Sequence, residues 1–226
     1  MLDVAKLLPP TIRDLRPRSI VGAVRLAFAV TCAIALIARY SWGLGSATFT
    51  PYNYYAYLTI QSNIAFTVVA VLAGVVALRA ERDPAWLTAL RACILTCTVT
   101  AGIVFALIVQ QAGSNTVPID VPTSDLVLHF WLPPLAMLEW YLSPGRGRAS
   151  WRTIAFVLGY TLTWGGLTML RGAIVGWFPY YFLDPGQLSG PLEFVTLSGL
   201  ALLVFAVVGF GVVALTRYRR KAPGSN

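Results

Sequence analysis

Thr59 and His129 are the two residues of this chain whose types could do chemistry together. A hydroxyl is a poor nucleophile until a base takes its proton, and a neutral imidazole can do so at neutral pH. His129 is the only histidine among 226 residues and lies in an apolar run, Leu126 to Leu142. An ionisable group at membrane depth is costly, so by default it marks a functional site; the alternative is a neutral ring satisfied by a neighbouring helix.

Other polar residues gather around this pair. Asp125 sits four positions before His129 on the same helical face, where it either orients the ring or caps the helix. The stretch Tyr57-Leu-Thr59-Ile-Gln61-Ser62-Asn63 puts Thr59 and Asn63 on one face, with Gln61 and Asn63 as oxyanion donors or as interhelical glue. Arg171 is suited to bidentate binding of a substrate carboxylate, or to anchoring at the interface in an ion pair with Asp184 or Glu193. Tyr181 and Asp184 complete the set of expected binding or orienting groups.

Other chemistries fail on residue counts. Haem held between histidines needs two, and catalytic zinc usually takes three protein ligands; no metal or other cofactor is expected. Neither a phosphate-cradling glycine loop nor a G-x-S-x-G elbow occurs.

Pro133 and Pro134 cannot donate to the carbonyls of His129 and Phe130, so the helix should kink at the histidine. The freed carbonyls must then face protein, water or ligand and not lipid.

The elements that carry these residues are set by composition. With 57% hydrophobic and 12% charged residues, the chain belongs to the membrane class. Six apolar segments, at 20–38, 57–78, 92–110, 124–142, 153–172 and 194–215, each approach the roughly 20 residues that cross a hydrocarbon core. The expected fold is all-α, one compact bundle of six transmembrane helices forming a single domain over 1–226.

The net charge of +8 is explained by topology, not by nucleic acid. Fourteen of the seventeen basic residues fall before the first span, in the second and fourth loops, or in the tail. Both termini are therefore expected in the cytoplasm, in a multi-pass plasma (inner) membrane protein. Arg25, inside the first span, should send its charge along its stem to the inner interface. The first span is too long for a signal-peptide core and is expected to be retained. Cys32, Cys93 and Cys97 read as small packing residues, and the basic tail Arg217 to Lys221 as an anchor at lipid headgroups before a disordered end. Gly159, Gly165, Gly166, Gly172, Gly209 and Gly211 are expected to let helix backbones approach closely.

On this topology Thr59, Asp125, His129, Arg171 and Glu193 converge near the outer leaflet. By rise per residue, Thr59 lies about 3 Å and His129 about 7 Å below their helix starts. Above them run two long loops, 39–56 and 173–193, in or beside which fall seven of the ten tyrosines (40, 52, 54, 55, 57, 180 and 181). Long loops are often lids. An aromatic belt would show at both interfaces, so the asymmetry favours a roof over a pocket.

Three stretches carry a resemblance: Tyr57 to Asn63, Leu128-His129 through Pro133 to Glu139-Trp140, and Arg171-Gly172 through Pro179-Tyr180-Tyr181-Phe182-Leu183-Asp184-Pro185. Here the chain resembles the six-span androgen-induced and androgen-dependent membrane proteins, which are intramembrane threonine hydrolases, and their bacterial relatives. The resemblance implies a nucleophilic threonine in span two and a histidine in span four, here Thr59 and His129. The family's reaction is hydrolysis of fatty acid esters of hydroxy fatty acids; the Gln61-Ser62-Asn63 and Arg171 elements belong to the bacterial side, so only "lipid ester" carries over. The leading expectation is an intramembrane lipid-ester hydrolase, a lipid-like ester and membrane lipids being its partners. The alternative is a non-catalytic lipid or small-molecule binding protein or transporter.

Overall fold

The computed structural model describes residues 10–47, 49–114 and 121–217, and these are helical with no strand among them. The helices in chain order are α1 (Pro10–Gly43), the short α2 (Pro51–Ala56), α3 (Leu58–Arg79), α4 (Ala85–Ser114), α5 (Thr123–Leu126), α6 (Leu132–Leu142), α7 (Arg152–Val175) and α8 (Pro191–Leu215). Five of them, α1, α3, α4, α7 and α8, are long and apolar enough to cross a membrane. The expected basic tail beyond Arg217 lies outside the described residues.

The segment expected to be the fourth span is divided. Between α5 and α6 the backbone forms a π turn, Val127–Trp131, in which the Leu132 N–H donates to the Val127 carbonyl five residues back. Proline chemistry accounts for the wide turn: without N–H groups, Pro133 and Pro134 cannot close the normal ladder onto His129 and Phe130. The kink expected at the histidine is thus a π turn, and no single piece of this rod reaches spanning length.

Close packing falls at other glycines than expected. Gly22 on α1 and Gly74 on α3 face one another: a Cβ on Gly22 would sit 2.8 Å from Leu78, and one on Gly74 would sit 2.8 Å from Leu26. Gly159, Gly165, Gly166 and Gly211 have open space where a Cβ would go, Gly172 makes room for the Phe178 ring, and Gly209 makes ordinary contact with Thr96 and Ile154. The three cysteines are free and lie in α1 and α4, as expected of packing residues.

One end of the bundle is held by charge. Asp83, in the 80–84 loop, accepts hydrogen bonds from Arg18 (2.7 Å), Arg25 (2.9 and 3.1 Å) and Arg91 (2.8 Å). Glu139 on α6 accepts from Arg25 (2.8 Å) and Arg91 (2.5 Å). Arg25 thus carries its charge along its stem to Asp83 in the 80–84 loop, but it ends in a buried ion-pair cluster: it is 2% exposed and donates also to Ser143 and the Ala73 carbonyl. Burial pushes the Asp83 carboxyl up, but the three guanidiniums outweigh it and hold the group below its ordinary value. Trp140 locks α6 to α8 by donating its indole N–H to the Val212 carbonyl.

The opposite end is aromatic. Tyr40, Phe49, Tyr54 and Tyr55 form one edge-to-face group, while Tyr57 meets Trp177 (5.6 Å between rings) and Tyr180 (5.7 Å). The 44–57 and 176–190 segments thus touch through their aromatic residues, as the tyrosine distribution implied. Gly176 permits the second segment to begin: at φ 73° it closes α7 with its N–H on the Gly172 carbonyl.

Candidate functional site

Beneath the aromatic end lie two cavities that meet at a common wall. The first, of about 490 Å³, lies between α4, α7 and α8 and is lined almost wholly by apolar side chains such as Val104, Met169, Leu202 and Phe205. The second, of about 400 Å³, holds the polar groups Arg39, Asn53, Asp125 and His129 under Trp177 and Tyr181. Thr59, Phe105, Ile108 and Tyr180 line both.

Thr59 lies in the first turn of α3, just after the break that separates it from α2, and its side chain faces the wall instead of lipid; it is 8% exposed. Its Oγ1 is 3.3 Å from the Tyr180 hydroxyl, and its backbone N–H donates to the same oxygen at 3.4 Å. Burial pushes the Tyr180 phenol up, against a smaller opposing effect of the Thr59 contacts, so at neutral pH it is a proton donor and not a base.

His129 sits in the π turn, 7% exposed, stacked on Phe105 with ring centroids 3.9 Å apart. Its Nδ1 lies 2.9 Å from the Asp125 backbone carbonyl. A carbonyl oxygen can only accept, so the neutral ring carries its proton on Nδ1 and leaves the Nε2 lone pair free. The carbonyl freed by Pro133 also has a defined place: Gly102 on α4 packs against it, and a Cβ there would overlap the His129 oxygen.

Asp125 orients the ring through its backbone. Its carboxylate is engaged elsewhere, in an ion pair with Arg39 at 2.9 Å, and Arg39 in turn lies over Trp42. The carboxylate also lies in the first turn of α5, after Pro122 at the N-cap, where the helix dipole favours a negative charge. Arg39 is thus a site residue that the sequence analysis does not single out; the available signal was a lone basic residue at the end of the first apolar segment, opposite in charge to Asp125.

The remaining expected residues divide. Tyr181 lines the polar cavity. Gln61 donates to the Tyr55 carbonyl and accepts from Tyr160, and Asn63 donates to the Thr59 carbonyl; neither lines either of these two cavities, and both hold backbone and helices together. Arg171 lies behind the cavity wall, donating to Asn53 Oδ1 at 2.7 Å and lying over Trp177. Its partner is not Asp184 or Glu193: Asp184 accepts from Gly186 and Gln187, and Glu193 from Ser189.

Chemically the site offers a hydroxyl beside a phenol donor, an imidazole with a free Nε2 in the same polar cavity, and an apolar chamber behind the hydroxyl. Searches of protein-family models, curated proteins and solved structures return no match to this chain.

Proposed function

We propose that this chain is an intramembrane lipid-ester hydrolase. The observation that carries the reading is the position of Thr59, on the wall shared by an apolar chamber and a polar one. An ester bound across that wall would bury its acyl chain on one side, leave its polar part on the other and present its carbonyl to Thr59. Both volumes fall in the range of small-molecule sites. The resemblance to the androgen-induced threonine hydrolases points the same way.

In this reaction Thr59 Oγ1 attacks the ester carbonyl and its proton passes to His129 Nε2. The carbonyl re-forms as the alcohol leaves, taking that proton. His129 then removes a proton from water, which attacks the acyl-threonine; the acid departs and Thr59 regains its hydrogen. Tyr180 donates to the oxyanion, a role that Gln61 and Asn63 are too engaged to fill.

In the membrane, we read the rod Thr123–Leu142 as the fourth of six spans, with the aromatic end outside and both termini in the cytoplasm of the plasma membrane. Cysteine introduced at Ala47 should then react with an impermeant maleimide in intact cells, and cysteine at Ser150 should not. The reverse pattern would invert the topology.

One observation favours a second reading, a lipid-binding protein without catalysis: no hydrogen bond joins Thr59 to His129, and each has another partner. A fluorophosphonate probe separates the two. The hydrolase should be labelled, and Thr59→Ala and His129→Ala should each abolish labelling without lowering thermal stability. Labelling unchanged in Thr59→Ala would remove Thr59 from the reaction.

A further inference from the structure

The apolar chamber reaches the side of the bundle. Leu162 and Gly166 on α7, and Val195 and Gly199 on α8, line it while also being exposed on the outer surface of the helices or close to it. A Cβ at Gly166 or Gly199 would meet nothing within 4 Å. These two helices are also the most peripheral of the five: 22% of each apolar window is buried, against 44% in α3.

A second feature marks the chamber as more than a packing gap. Thr100 on α4 is wholly buried and lines it, yet its hydroxyl has no partner; the buried hydroxyl of Ser198 on α8, a half-buried residue, has none either. Buried hydroxyls are normally satisfied, so these point to the ester group at the head of an entering chain or to water carried in beside it.

We propose that a gap between α7 and α8, kept open by Gly166 and Gly199, admits the acyl chain of a membrane lipid sideways into the apolar chamber. This deepens the hydrolase reading and rests on its assignment of the chamber to an acyl chain. Thermodynamics favours the lateral route. A chain in the bilayer is already among apolar groups and leaves it for an apolar chamber with little change in surroundings. A route through the aromatic end would wet the chain, at about fourfold in partitioning for each methylene exposed.

The test uses the full chain in phosphatidylcholine vesicles with palmitic acid methyl ester carrying a mid-chain diazirine. Irradiation should mark the chamber wall at Met169, Leu202 or Phe205. Gly166→Phe and Gly199→Phe should each lower that labelling at least about tenfold, while Gly159→Phe, which fills open space on α7 away from the chamber, should leave it unchanged. Undiminished labelling in both gap variants would overturn the proposal, as would adducts confined to the outward residues Leu167, Leu170 and Leu203.

Ester turnover keeps this separate from the hydrolase reading. If Gly199→Phe retains hydrolysis of p-nitrophenyl acetate but loses that of p-nitrophenyl palmitate, the gap serves catalysis. Equal hydrolysis of both esters by the variant contradicts the gap and leaves the hydrolase standing. Absence of hydrolysis of either ester by the unaltered chain, with the labelling pattern intact, removes the hydrolase and leaves the gap.

Discussion

Gly102 on α4 lies against the backbone carbonyl of His129, so closely that a Cβ at this glycine would overlap the oxygen. That carbonyl lost its helical donor to Pro133, and the π turn that results presents it sideways to α4. The two residues fix the height of the imidazole, which then stacks on Phe105, one turn along α4 from Gly102. A buried carbonyl without its helical bond is tolerated here because the α4 backbone packs against it and covers it.

Gly102→Ala should therefore push the π turn away from α4. Forcing one methyl group into such a contact typically costs about 1–3 kcal/mol. The expected result is a lower melting temperature together with loss of probe labelling at Thr59, since the ring moves relative to the shared wall. Ala106→Gly, a nearby change of similar size on α4 that adds no bulk and lies outside both chambers, should leave the labelling intact. Unchanged stability and labelling in Gly102→Ala would show that the contact does not position the histidine.

Tyr180→Phe removes the phenol 3.3 Å from Thr59 Oγ1 while keeping the ring between the chambers. If this hydroxyl stabilises the oxyanion, kcat for a lipid ester should fall by roughly 10²-fold with KM little changed. An equal kcat would leave the oxyanion to another donor. A raised KM with unchanged kcat would mean that the phenol shapes the chamber alone.

Much of this arrangement was legible in the sequence, for identifiable reasons. Apolar runs of fixed length gave the helices, consecutive prolines gave the break at His129, and the one-sided tyrosines gave the aromatic end. Side-chain partners were less legible. The direction of the Arg25 stem was legible but its partner was not, because nothing local reveals that Asp83, 58 residues away, receives the charge. Arg39 and Asp125 lie at one level, but spacing alone does not say which two helices touch. The glycine error has the same origin: Gly165 and Gly166 resemble a packing motif, and only the positions of α4 and α8 leave them facing a chamber.

Asp83 offers a pH test of the charged end. Its folded value is held below the ordinary 3.8, so its contribution to stability is fully present above that value and is lost as pH falls through the folded one. Asp83→Asn should cost about 3–5 kcal/mol at neutral pH, because three guanidiniums then surround a neutral amide. In detergent the melting temperature of the unaltered chain should exceed that of Asp83→Asn at pH 7, and the difference should shrink below about pH 4. A difference independent of pH would assign the loss to packing instead of charge.

The hydrolase reading stands or falls on whether Thr59 becomes acylated during turnover. The most direct measurement is peptide mass spectrometry of the purified chain, acid-quenched while hydrolysing p-nitrophenyl laurate. A lauroyl adduct is expected on the peptide containing Thr59, lost in Thr59→Ala together with activity. Turnover that proceeds with no adduct, or that survives in Thr59→Ala, would contradict it.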